Sequence, residues 1–159
     1  MGNGEGSKNL HSSDGIETGV LYCGDNLQRL SLLPSESVDL IYLDPPFFSN
    51  RNYEVIWGDE AEVRSFEDRW EGGINRYVGW MRERMMEIHR TLKPTGSMYL
   101  HCDPNASHYL KVASDSIFGV ERFLNEIIWK RTTTHSDAKR WAPVSDTILF
   151  YSKSKSLRQ

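Results

Sequence analysis

Along this chain, short continuous apolar runs alternate with stretches in which apolar residues recur at helical intervals. Val20 to Cys23 is a first apolar run, closed by Gly24 and Asp25, and Leu27, Leu30 and Leu33 then return at helical spacing up to Pro34. That order predicts a strand, a turn and a helix. Val38 to Leu43 is a second unbroken run, the pattern of a strand buried on both faces of a parallel sheet, and it stops at Asp44-Pro45-Pro46-Phe47. From Ile74 onward Tyr77, Val78, Met81, Met85, Ile88 and Leu92 keep the i, i+3, i+4, i+7 rule until Pro94 and Gly96 end it. Met98 to Cys102 then reads as a strand. Asn105 is placed to cap a third helix bearing Tyr109, Leu110, Val112, Ala113 and Ile117 and closed by Gly119; Phe123 to Trp129 and Thr147 to Tyr151 are two further strands.

Strand, helix, strand, helix, strand, helix, strand is the alternation of an α/β domain with a mainly parallel sheet. Ligands of such sheets bind beyond the carboxyl ends of the strands, which singles out Gly24-Asp25, Asp44 to Phe47 and His101 to Pro104. Residues 1–19 are rich in Gly, Ser and Asn without periodicity and read as a disordered leader. Residues 48–73 also lack a period, and a stretch of that length between elements is expected to be a lid. The ordered domain is expected over 20–152, with a basic tail at 153–159.

Length and composition fit this picture. The chain has 159 residues, 38% hydrophobic and 26% charged, enough for one soluble globular domain and unlike collagen, coiled-coil or disordered sequences. No apolar run approaches a membrane span and residues 1–19 lack the pattern of a secretory signal, so no membrane association and a cytoplasmic location are expected. Cys23 and Cys102 stand far apart with no metal-ligand spacing, and both read as buried thiols. The net charge of −3 hides a segregation: from Lys130 onward seven basic residues meet two acidic ones, while the rest of the chain is acidic. This is either a solvated tail or the start of a surface for phosphate. Lys130, Arg131, Lys139 and Arg140 flank a Thr- and His-bearing stretch at 130–145 suited to contacting a nucleic-acid backbone.

The tetrapeptide Asp44-Pro45-Pro46-Phe47 has a chemistry of its own. Two prolines remove two backbone donors and hold the Asp44 and Pro45 carbonyls in a stiff extended presentation between an acid and an aromatic ring. A planar amine on an aromatic base suits such a place, because its N–H groups need acceptors and its ring can stack on Phe47. A proline-stiffened loop with Phe47 in the core would look the same in isolation.

The motif is not isolated. Gly24-Asp25-Asn26, a leucine-bearing helix and Ser37-Val38-Asp39-Leu40-Ile41-Tyr42-Leu43-Asp44-Pro45-Pro46-Phe47 resemble the opening of the amino-methyltransferases that modify exocyclic amines in DNA, in particular their permuted beta group. Leu92 to Asp103 and Glu126 to Arg131 resemble later blocks of that family in the same order. The resemblance implies a Rossmann-like methyltransferase fold with S-adenosylmethionine as cofactor and double-stranded DNA as substrate. It implies that Asp44 and Pro45 accept hydrogen bonds from the target amine, that Pro46 stiffens the turn and that Phe47 stacks on a flipped-out base. Asp25 and Asn26 would approach the cofactor, an assignment compatible with Asp25 as a helix cap, and Asp44 would also meet the cofactor's amine. His101 and Asp103 either line this pocket or are structural. Arg51 and Tyr53 in the lid, with Trp57, Phe66 and Trp70, are suited to filling the vacated base stack or simply to packing the lid. An aspartate before the two prolines favours adenine N6 over cytosine N4 in that family.

One block is missing. Beta-group enzymes carry a later F-x-G-x-G motif for the cofactor, and glycine is absent here beyond Gly119. The sequence therefore reads as the catalytic portion of a methyltransferase, completed by a longer chain or by a second polypeptide, with an unpaired sheet edge where the absent strands would dock. The alternatives are a non-catalytic fragment that binds nucleic acid or a partner through 130–159, a cytosine-N4 enzyme, and transfer to RNA or protein amines. Association with a restriction enzyme is a property of the family.

Overall fold

A computed structural model describes residues 16, 18–48, 72–131, 139 and 143–155. In chain order these form α1 (Asn26–Leu32), β1 (Val38–Leu43), α2 (Gly73–Thr91), β2 (Leu92–Cys102), α3 (Ser107–Phe118), a 3-10 turn (Val120–Arg122), β3 (Phe123–Lys130) and β4 (Ser145–Ser152). The strands make one sheet in the order β1-β2-β4-β3. β1 and β2 are parallel, and β4 runs antiparallel to both of its neighbours. Three of the four strands therefore point the same way and β4 alone is reversed, which gives the expected α/β domain a mixed ladder.

The core lies on one face of this sheet. Met98, Leu100 and Cys102 alternate along β2 with the half-buried Ser97, Tyr99 and His101, as a strand's twofold side-chain period requires. The buried set joins Leu149 and Tyr151 of β4 with Tyr77, Met81, Met85 and Ile88 of α2 and Leu110 and Ala113 of α3. Ile41 and Leu43 of β1 pack against the same cluster. On the opposite face Tyr99 stacks on Phe150, with ring centroids 4.4 Å apart.

Several expectations need correction. Val20 to Cys23 is not a strand: no ladder reaches it, and Leu21 is 95% exposed. Cys23 is exposed for the same reason, and only Cys102 is a buried thiol. β1 is not buried on both faces, since Leu40 and Tyr42 are more than half exposed on the face that α2 and α3 leave uncovered. α2 ends at Thr91 and β2 begins immediately at Leu92, ahead of Pro94. The register with β1 slips there, Val38 pairing with Leu92 and Leu40 with Ser97, so the extra residues of β2 bulge outward. Gly96 is needed at that bulge because a Cβ would lie 3.0 Å from the Lys93 and Val38 carbonyl oxygens. Asn105 does not cap α3. The carboxylate of Asp103 takes that part, its Oδ1 accepting from the N–H groups of Asn105 and Ala106 at 3.0 and 2.8 Å.

α1 buries no residue, so apolar contact alone does not hold it. Two arginines of α2 fasten it instead. Arg90 donates to the carbonyl of Leu33 and to that of Leu30, which also accepts the Leu33 N–H at the helix end, and Arg84 reaches its first turn.

Candidate active site

Parallel pairing of Leu43 with Leu100 brings the carboxyl ends of β1 and β2 side by side, so Asp44 and His101, each the next residue, become neighbours. Asp44 Oδ1 lies 3.3 Å from His101 Nδ1, with the carboxylate side chain 60% exposed. Pro45 is buried, and Pro46 and Phe47 are half-buried. The Phe47 ring meets the His101 ring edge to face, centroids 5.1 Å apart and planes at 71°. One imidazole thus touches both ends of the Asp44-Pro45-Pro46-Phe47 turn.

His101 is itself held. Its Nε2 lies 3.2 Å from Asp146 Oδ2, an atom that Arg131 Nε also reaches at 3.0 Å. Asp146 is 1% exposed, and its other oxygen has no hydrogen-bond partner among the described residues. The Tyr42 hydroxyl lies 3.2 Å from His101 Nδ1. Burial first, then the charges of Asp44 and Asp146, raise the Tyr42 phenol above its ordinary value and keep it protonated. Asp103, at the end of the same strand, turns the other way into the cap of α3. Burial raises its carboxyl, against the two backbone N–H bonds that lower it.

The second cluster is at the start of α1. Asp25 caps the helix through a 2.8 Å bond from the Leu27 N–H to Oδ1. Its Oδ2 accepts from Arg84 Nη2 at 2.7 Å, and Asn26 Oδ1 accepts from Arg84 Nε at 2.8 Å. Arg84 is only 3% exposed, and its guanidinium lies over the Trp80 ring, 3.6 Å from the centroid. One planar fork therefore orients both residues that the sequence assigned to the cofactor. Beside them lies a mostly apolar cleft of about 230 Å³ lined by Tyr22, Gly24, Asn26, Arg29, Leu30 and Leu33. Its size and lining suit part of a flat organic ring.

Of the basic residues assigned to DNA, Lys130 is exposed at the end of β3, Lys139 is exposed, and Arg131 is half-committed to Asp146. Arg51, Tyr53 and Arg140, the aromatic residues of the expected lid and most of the 130–145 stretch lie outside the described residues. Among the described residues no cluster of His, Cys, Asp and Glu could hold a metal ion, and no helix is long and apolar enough to cross a membrane.

Sequence reasoning missed Arg84, Asp146 and Tyr42. Arg84 carried a signal, since a charged residue on the Tyr77, Met81, Ile88 stripe of α2 must find partners when the stripe is buried. Asp146 abuts the run at 147–151 but becomes informative only once β2 and β4 are known to pair.

Beyond the parallel pair an acid and an aromatic ring stand on a Rossmann-like α/β sheet in the order β1-β2-β4-β3 with only β4 reversed. Solved structures share it. The chain matches the cytosine-N4-specific PvuII DNA methyltransferase with a TM-score of 0.58 at 18% identity, over 84% of this chain and 49% of that one. It also matches a protein of Thermus thermophilus, TTHA0409, described as a putative DNA modification methylase complexed with S-adenosyl-L-methionine, with a TM-score of 0.58 at 20% identity, over 86% and 54%. Residues 38–158 match the family model of the N6/N4 DNA methylases. The chain belongs to that DNA methylase family. It is 30% identical over 151 residues to the type II methyltransferase M.KpnI of Klebsiella pneumoniae, covering 92% of this chain and 35% of that protein. With the DNA adenine methyltransferase YhdJ of Escherichia coli it shares 27% identity over 126 residues, 79% of this chain and 38% of the relative. The chain thus spans about a third of the length of these curated relatives.

Proposed function

We propose that this chain carries the catalytic acid and the base-stacking ring of an S-adenosylmethionine-dependent enzyme that methylates the N6 amine of a flipped-out adenine in double-stranded DNA. The observation that supports it most is the placement of Asp44: solvent-facing, at the carboxyl end of a strand in a parallel pair, followed by two rigid prolines and the ring of Phe47. The residues fit the cofactor. An open carboxylate beside an aromatic face suits a cationic amine and sulfonium, and the apolar cleft beside Asp25 and Asn26 suits a flat ring. When bound, S-adenosylmethionine supplies a methyl group made electrophilic by its sulfonium.

The rest is done by the chain's own groups. An exocyclic amine is a weak nucleophile because its lone pair is delocalised into the ring. Asp44 and the Pro45 carbonyl accept its N–H bonds, and those bonds strengthen as the nitrogen becomes tetrahedral. Pro46 keeps the acceptors fixed, which lowers the reorganisation needed during transfer. Phe47 stacks on the base and offsets part of the few kcal/mol of unstacking. Lys130, Lys139 and Arg140, with Arg51 and Tyr53, contact the DNA backbone and the vacated stack, and Arg131 joins them from its place beside Asp146. The edge of β1, which ends the sheet among the described residues, receives further strands from a longer chain or from a second polypeptide.

The test is methyl transfer from isotopically labelled S-adenosylmethionine to unmethylated duplex DNA, read by mass spectrometry of the digested nucleosides. Labelled N6-methyladenine that disappears in Asp44→Ala is the expected result. Labelled N4-methylcytosine overturns the choice of base, and the absence of transfer by a folded chain refutes activity of these residues alone.

A further inference from the structure

Resting on the reading of Asp44 and Phe47 just given, we infer that His101 is the positioning residue of this site: anchored through Nε2 to the buried Asp146, it presents Nδ1 and its ring to set the Asp44 carboxylate and the Phe47 ring at once. Asp44 is 60% exposed and follows the last residue of an edge strand, so its own backbone leaves several side-chain rotamers open. The only described groups that meet its carboxylate are those of His101.

The imidazole, by contrast, is fixed from three sides. It is 16% exposed, its Nε2 faces Asp146 at 3.2 Å, the Tyr42 hydroxyl lies 3.2 Å from Nδ1, and Phe47 stands edge-on at 5.1 Å. Asp146 cannot swing away to solvent. It is 1% exposed, pairs with Trp129 of β3 on the antiparallel ladder of β3 and β4, and Arg131 holds the same oxygen at 3.0 Å. An acid at one ring nitrogen and a second acid at the other hold the imidazole in a single orientation, each carboxylate accepting where the ring presents an N–H. The charged and titratable groups around the ring are Asp44 and Tyr42 from β1 and its end, Asp146 from β4 and, through Asp146, Arg131 after β3. Arg131 offsets the charge of Asp146, leaving the ring to face Asp44 from a nearly balanced pair. Positioning within a fraction of an ångström is where methyl transfer gains most, because a direct displacement depends on alignment.

Three replacements separate the parts of this assignment. His101→Asn places an amide donor near the position of Nδ1, His101→Gln places one near Nε2, and His101→Phe keeps a ring against Phe47 with neither. They are compared with wild type and Asp44→Asn for single-turnover methyl transfer, S-adenosylmethionine affinity and unfolding midpoint, in the polypeptide that carries this chain. In His101→Phe the transfer rate at saturating cofactor falls at least tenfold, a larger loss than that in cofactor affinity; His101→Asn recovers most of the rate and His101→Gln little of it. A His101→Phe rate within twofold of wild type, with Asp44→Asn inactive, overturns the assignment and leaves the role of Asp44 standing. Equal loss in all three together with a lowered unfolding midpoint also overturns it, in favour of a packing role. Full activity of Asp44→Asn overturns the proposed function itself. If wild type transfers no methyl, the ring nitrogens report directly: Asp44→Asn moves the Nδ1 resonance of His101, and an unmoved Nδ1 refutes the contact.

Discussion

The two faces of the sheet are built from the same strands by alternate residues, yet they differ in what covers them. One face lies under α2 and α3, and there Met98, Leu100, Leu149 and Tyr151 are almost wholly shielded. The other carries Leu40, Tyr42 and His101, and Leu40 and Tyr42 are more than half exposed. The proposed chemistry is on the second face and at its strand ends, while the stiffness that holds those residues in place comes from the first. His101 belongs to the same strand as Leu100, and Asp146 to the same strand as Leu149. A packed core thus fixes the backbone from which the site's groups project, as a precise site requires.

Truncating each face in turn is the strongest way to break this comparison. Leu100→Ala removes a side chain with no exposed surface and is expected to destabilise the domain by about 2–5 kcal/mol, through lost burial and the cavity left behind. Leu40→Ala, one strand away on the open face, is expected to cost less than about 1 kcal/mol. Urea unfolding midpoints read both. Comparable losses would mean that the second face is covered as fully as the first.

The next prediction sharpens the comparison at α1, a helix with no buried residue, of which Leu30 touches the core and two arginines supply the polar fastening. Arg84→Met keeps the stem over Trp80 and removes the fork to Asp25 and Asn26, at a cost of about 1–3 kcal/mol. The effect should be local: hydrogen exchange of the α1 amides accelerates while the β2 and β4 amides keep their protection. Arg84→Lys does not restore it, because a single ammonium cannot reproduce the planar fork.

This contrast also explains what could be read in advance. Periodicity located α2, α3, β2 and β4 because those elements meet the core, and burial is what a hydrophobic period records. It failed at Val20 to Cys23, where an apolar run finds no strand to pair with, and it assigned β1 two covered faces where one is open. The position of Asp44 and Phe47 beyond a strand end was legible because two adjacent prolines close the apolar run of β1. His101 was visible only as a residue at a strand end, since its role depends on the register that brings β1 and β4 to either side of β2. Asp146 and Arg84 lie outside any local motif, and their partners sit 45 and 59 residues away in the chain.

The smallest expected effect concerns Asp103, where the covered side of β2 turns into α3. Burial raises its carboxyl above the ordinary 3.8 even though two backbone N–H groups favour the charged form, and Oδ2 is buried without a partner among the described residues. A carboxyl whose folded value is raised binds its proton more tightly in the native than in the unfolded state. Its contribution is therefore most favourable below 3.8 and declines as pH rises through the raised folded value. Asp103→Asn keeps the acceptor for Asn105 and Ala106 and cannot ionise. The stability of wild type relative to this variant should fall between acidic and neutral pH, the direction that a raised folded value sets. Urea unfolding of the pair across that range reads the sign. A difference that grows with pH would show that the helix cap, rather than desolvation, governs this carboxylate, and would make the entry to α3 an electrostatic support of the covered face rather than a cost of covering it.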